Sequence, residues 1–178
     1  LLVFSGAWII AGRSLNALRA FPSNGALLAA ALLTGAAAFV LRLVWPVGVS
    51  VFGQQFGYFA SYIVLFVAGC LAANARLLEA IPPDQSRIWR RIALVVLPVL
   101  PIIAFAPGPL GLSPGKFEGG WTLGALTYAF WEPFVAWGVI LSLLVYFQRR
   151  FATLDPGWTL LVRRAFAIYV IHPPILTA

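Results

Sequence analysis

Four times in 178 residues this chain runs for about twenty positions with scarcely a charge, which is the length an α-helix needs to cross a hydrocarbon layer about 30 Å thick. These runs cover approximately 26–44, 52–73, 89–106 and 121–147, and shorter apolar runs occupy 1–11 and 165–178. Apolar residues make up 62% of the chain and charged residues 10%, against roughly 45–50% and 25% in a soluble domain. A water-soluble fold of this size has no interior large enough to hide that much apolar surface. The expected fold is therefore all-α: a single polytopic transmembrane bundle over 1–178, with about six spans, the first and last truncated.

Proline and glycine punctuate the runs at Phe21-Pro22-Ser23-Asn24-Gly25, Ile81-Pro82-Pro83-Asp84, Pro107-Gly108-Pro109 and Asp155-Pro156-Gly157, each of which stops a helix. The chain contains no Met, opens inside one apolar run and closes inside another, so it reads as a piece cut through a helix at each end. Nothing resembles a signal peptide. The single Cys70 lies within an apolar run and reads as a small packing residue, neither disulfide nor metal ligand.

A net charge of +7 would raise the question of nucleic acid in a soluble protein. Here the basic residues alternate between connections. Arg13 and Arg19 follow the first run, Arg76, Arg87, Arg90 and Arg91 follow the third, and Arg149, Arg150, Arg163 and Arg164 follow the fifth. The connections between these carry only Lys116 with Glu118, apart from Arg42 at the end of the second run. By the positive-inside rule the Arg-rich connections are cytoplasmic, the bilayer rather than nucleic acid is the partner, and Trp45 and Trp121 belong to the outer aromatic belt. Arg42, close to the outer end, is expected to snorkel. The third run sets Gly57, Ser61, Leu65, Gly69 and Ala73 four apart, a small-residue stripe for close helix approach.

An ionisable side chain at mid-membrane costs about 2.5–3.5 kcal/mol on the insertion scale and needs a reason. Glu132 lies about 16 Å into the run that starts at Trp121, beside Trp131 and followed by Pro133, which frees the carbonyl of Ala129 and bends the helix. It is expected either to pair with an Arg or His of a neighbouring helix or to handle substrate or protons. His172 is the only histidine, about 12 Å beyond Arg164, with Pro173 and Pro174 freeing the carbonyls of Tyr169 and Val170. Depth makes Glu132 and His172 candidate partners, and Trp131 and Tyr169 candidate site-lining residues. No nucleophile elbow, phosphate loop or metal-ligand cluster is present in the sequence. From the residues alone, channel, transporter and membrane enzyme remain open.

The order of four segments narrows this. Gln55-Phe56-Gly57-Tyr58-Phe59, Phe66-Val67-Ala68-Gly69-Cys70, Trp131-Glu132-Pro133-Phe134 before a helix ending in Arg149-Arg150, and Ala167-Ile168-Tyr169-Val170-Ile171-His172-Pro173-Pro174 resemble the C-terminal half of the acyltransferase 3 family of membrane-bound acyltransferases. The resemblance covers essentially the whole chain, and its most telling element is the closing Tyr-x-x-His-x-Pro pattern. It implies an integral protein of a bacterial cytoplasmic membrane, transferring acetyl or succinyl from an acyl-CoA co-substrate, with no bound cofactor, to a hydroxyl of a glycan or glycolipid acceptor. Arg87, Arg90 and Arg91 would then attract the CoA phosphates. The family's early His and Arg motifs have no counterpart here. Catalytic residues are thus expected upstream, in further N-terminal helices, and this piece alone is expected to be inactive. The alternatives are a proton-coupled transporter or flippase using Glu132 and His172 as a relay, and a purely structural subunit.

Overall fold

A computed structural model describes residues 20–74, 77–105 and 115–151. Helix α1 (Asn24–Val44) begins where the sequence supplies a cap: Ser23 is extended, and its Oγ accepts the amide of Ala26 at 3.2 Å. Trp45 precedes Pro46, a position that disfavours helical backbone, and α1 ends there. A two-residue hairpin follows, with Val51 and Gln54 exchanging both amide hydrogen bonds at 2.9 Å around Phe52 and Gly53, both in the left-handed region. A 3-10 turn, Phe56–Tyr58, then leads into α2 (Phe59–Asn74).

The second half repeats the logic with proline. Pro82 caps α3 (Pro83–Val96), and Pro83 fills a first-turn position whose missing N–H costs nothing. The helix breaks at Leu97-Pro98 and resumes as α4 (Val99–Phe105). Pro101 offers no amide to the Leu97 carbonyl, which instead accepts the Trp131 indole N–H at 3.2 Å. Helix α5 (Leu123–Arg150) opens on Thr122, whose Oγ1 accepts the Ala125 amide at 3.1 Å, and it carries Pro133 inside it.

Helices α1 and α3 point the same way, and α5 runs against them. The α3 residue Trp89 donates its indole N–H to Asn24 Oδ1 at the start of α1, so α1 and α3 begin at the same end. At the other end the Val47 amide bonds to the Glu118 carbonyl at 2.8 Å, tying the end of α1 to the approach to α5. Ser86 Oγ reaches the Leu141 carbonyl while Trp131 reaches Leu97, so α3 and α5 run antiparallel. The interior has two layers. Leu27, Ala31, Ile81, Trp89, Trp137 and Leu141 pack at the α1 N-terminal end, and Ala38, Ala60 and Ala129 let α1, α2 and α5 close together near the other. Gly138 permits the tightest crossing, since a Cβ there would lie 2.4 Å from both the Ala93 Cβ and the Trp89 carbonyl oxygen.

The chain divides into two compact units, Leu1–Val145 and Tyr146–Ala178, and all of this packing belongs to the first. In the second, the described residues stack Phe147 on Phe151 with centroids 5.6 Å apart.

Among the described residues, three helices are long and apolar enough to cross a membrane: Asn24–Val44, Pro83–Phe105 taken through its break, and Leu123–Arg150. Their outward faces carry bare aliphatics such as Leu33 (70% exposed) and Val95 (71%), which only lipid or further helices would cover favourably. This is the pattern of a multi-pass membrane protein. Among the described residues the expected six spans are not found. The run at 52–73 gives a shorter apolar helix, Phe56–Ala72, because its first residues turn in the hairpin, and the runs at 1–11 and 165–178 lie outside the described residues. The small-residue stripe is also only partly used: Gly57 and Ser61 are buried, but Gly69 faces open space.

Candidate functional site: a buried arginine cluster

Arg42 is the centre of the most polar place inside the bundle. It sits in the last turn of α1 with its side chain 0% exposed, so it does not snorkel. Gly119 packs against the backbone here, where a Cβ would lie 2.4 Å from the Arg42 carbonyl oxygen and 3.1 Å from the Pro46 Cβ. Held inside, the guanidinium must find its partners there.

Its Nη2 donates to Glu132 Oε2 at 2.5 Å, joining α1 to α5 across the bundle. Its Nε donates to the Gly57 carbonyl at 3.1 Å. Gly57 reaches that position because it has no side chain, since a Cβ would stand 2.9 Å from the Trp45 carbonyl oxygen. The second carboxylate oxygen of Glu132, Oε1, accepts from Ser61 Oγ on α2 at 2.9 Å. Two tyrosine rings flank the guanidinium, Tyr128 with its centroid 4.6 Å from Cζ and Tyr58 at 5.4 Å, both within cation–π range. Their hydroxyls are 3.5 Å apart. The ion pair thus has a counter-charge, a backbone acceptor, a hydroxyl donor and two ring faces, contributed by α1, the 3-10 turn, α2 and α5. Glu132 keeps 22% of its side chain exposed, so of the pair the guanidinium is the buried member and the carboxylate the partly exposed one.

The carboxylate at Glu132 does pair with an Arg of a neighbouring helix, and that Arg is Arg42. Trp131, one position away, points elsewhere: its N–H serves the Leu97 carbonyl, and its ring lies 6.3 Å from that of Tyr128. His172 and Tyr169 lie outside the described residues. Arg87, Arg90 and Arg91 are exposed on α3, whose start shares the opposite end of α1 from Arg42. Eighteen residues separate Asn24 from Arg42, about 27 Å of helix. Arg87 is engaged by Asp84 one turn earlier, whereas Arg90 stands at the rim of an apolar groove of about 210 Å³ between α3 and α5, with Leu97 and Val135 along it.

Ser61, Tyr58 and Tyr128 escaped the sequence reading. Ser61 had a signal, as a polar member of the small-residue stripe, but a hydroxyl four residues from glycine reads first as a spacer. Tyr58 lies in a segment that carries the resemblance but was given no role, and Tyr128 had no signal, because an aromatic in an apolar run fits packing or the interfacial belt equally well.

Comparison with known proteins finds no family model, no curated protein and no solved structure that matches the chain.

Proposed function

We propose that this chain is part of an integral membrane O-acyltransferase of the acyltransferase 3 type, moving an acetyl or succinyl group from acyl-CoA to a hydroxyl of a glycan or related cell-surface acceptor. What supports this reading is one convergence. Two segments that carry the resemblance, Gln55–Phe59 and Trp131–Phe134, lie more than seventy residues apart, yet the Gly57 carbonyl, the Tyr58 ring and the Glu132 carboxylate meet on one buried guanidinium. Segments that only packed lipid-facing helices would have no reason to join there at the cost of burying charge. The exposed Arg90 and Arg91 at the opposite end suit CoA phosphates on the cytoplasmic side, in a bacterial cytoplasmic membrane.

Membranes containing the full-length protein and radiolabelled acetyl-CoA should transfer label to a glycan or glycolipid fraction. Absence of transfer to every such fraction sinks the reading. A proton-coupled carrier draws on a different observation, the break at Leu97-Pro98 in an apolar helix antiparallel to the Pro133-bearing one. It predicts ligand-dependent proton uptake into proteoliposomes without acetyl-CoA.

A further inference from the structure

Two of the three guanidinium nitrogens of Arg42 are hydrogen-bonded, and the third is not. Nη1 is fully buried and has no hydrogen-bond partner among the described residues. The tyrosine faces beside it balance charge but offer its N–H groups no lone pair in the guanidinium plane. A stripped donor on a charged group is costly in an apolar interior, so something with a lone pair belongs there.

Charge decides what kind. Glu132 already neutralises Arg42, and a second anion would leave one negative charge uncompensated away from water. An uncharged oxygen adds the missing lone pair at no such cost. Of the pair, Glu132 is 22% exposed and Arg42 not at all, so the oxygen arrives on a ligand from the carboxylate side.

We propose that Arg42 Nη1 is a ligand-binding donor that takes an uncharged oxygen, a carbonyl or a hydroxyl, with Glu132, Ser61 and the Gly57 carbonyl holding the guanidinium in place for it. Under the acyl-transfer reading that oxygen has two sources, the acyl carbonyl of the thioester donor or a hydroxyl of the acceptor. The choice of source rests on that reading, whereas the need for a neutral lone pair does not.

The test is binding, not turnover. The full-length protein in phosphatidylcholine nanodiscs is titrated calorimetrically with acetyl-CoA and CoA, and separately with hexyl β-glucoside and hexyl phosphate. Arg42→Lys keeps a positive charge beside Glu132 and removes the planar fork. Loss of one hydrogen bond is worth about tenfold in affinity. If the carbonyl is the ligand, R42K lowers acetyl-CoA affinity about tenfold and leaves CoA unchanged. If the hydroxyl is the ligand, R42K lowers glucoside affinity by that factor. Hexyl phosphate is expected to bind more weakly than the glucoside to both proteins. Affinities unchanged within twofold in R42K mean that Nη1 is met by water or from within the protein, and overturn the proposal, as does hexyl phosphate binding tightest. Should R42K fail to fold, solid-state nitrogen spectra of the wild-type arginine side chains decide: a buried guanidinium resonance that shifts with neither acetyl-CoA (relative to CoA) nor the glucoside overturns it equally. Binding without transfer in any membrane fraction removes the acyltransferase and leaves this site standing. Transfer with R42K-insensitive binding does the reverse.

Discussion

Removing either member of the Arg42–Glu132 pair breaks the same bond but leaves different debris. Glu132→Ala strands a guanidinium that is 0% exposed and has no other counter-charge among the described residues, a situation that costs about 3–5 kcal/mol. Arg42→Ala strands a carboxylate that is 22% exposed and still holds the Ser61 hydroxyl, so it should cost less. Ser61→Ala removes one hydrogen bond to a charged acceptor and should cost about 1.5–3 kcal/mol. Unfolding of the full-length protein in mixed micelles ranks the three, and an Arg42→Ala loss exceeding that of Glu132→Ala would refute the burial argument. At the hairpin tip, Phe52 holds a φ of 50° with its ring 98% exposed, paying for left-handed backbone with no packing in return. Phe52→Gly should therefore stabilise the micellar protein by about 1 kcal/mol, measured in the same unfolding series.

Between helices, two glycines make opposite predictions. Gly138→Ala forces a Cβ to within 2.4 Å of the Trp89 carbonyl oxygen, and separating α3 from α5 should cost about 1–3 kcal/mol. Gly69→Ala meets nothing within 4 Å and gains helix propensity, about 0.5–1 kcal/mol of stabilisation. Equal effects at the two positions, read as shifts in thermal unfolding, would contradict the packing described here. The same pair illustrates what sequence can and cannot disclose. Apolar runs between breakers located α1, α3 with α4, and α5, because burial in lipid demands length and uniform hydrophobicity, both visible in one dimension. Glu132 was legible as a group needing a partner for the same reason. Which glycine meets a neighbour was not, since Gly69 and Gly57 share one stripe and only the approach of α1 and α5 distinguishes them. Nor was the fate of Arg42, because a long side chain near a span end can point outward or inward, and the carboxylate that holds it inward, Glu132, lies 90 residues away.

Among the described residues, two polar places stand near opposite ends of α1, whose stretch from Asn24 to Arg42 spans about 27 Å, close to the roughly 30 Å of a hydrocarbon core. One is the Arg42 cluster beside the Val47–Glu118 tie, and the other is the exposed arginine face at the start of α3. On the positive-inside rule the arginine end is expected to face the cytoplasm, which puts Phe52 and the partly exposed Glu132 toward the outside. Under the proposed acyl transfer, an acyl group supplied as a CoA thioester from within would then have to cross most of the membrane to meet an acceptor near Glu132, a demand that fits an enzyme embedded in the bilayer better than one resting on it. Orientation can be read directly by replacing Cys70 with Ala and placing a single cysteine at Phe52 or at Arg90, both exposed positions. A membrane-impermeant maleimide should label the Phe52→Cys protein in intact cells and the Arg90→Cys protein only after the membrane is opened. Labelling in the opposite order would invert the bundle, put the Arg42 cluster on the cytoplasmic side and, under the proposed acyl transfer, make the acyl carbonyl, rather than an outside hydroxyl, the oxygen within its reach.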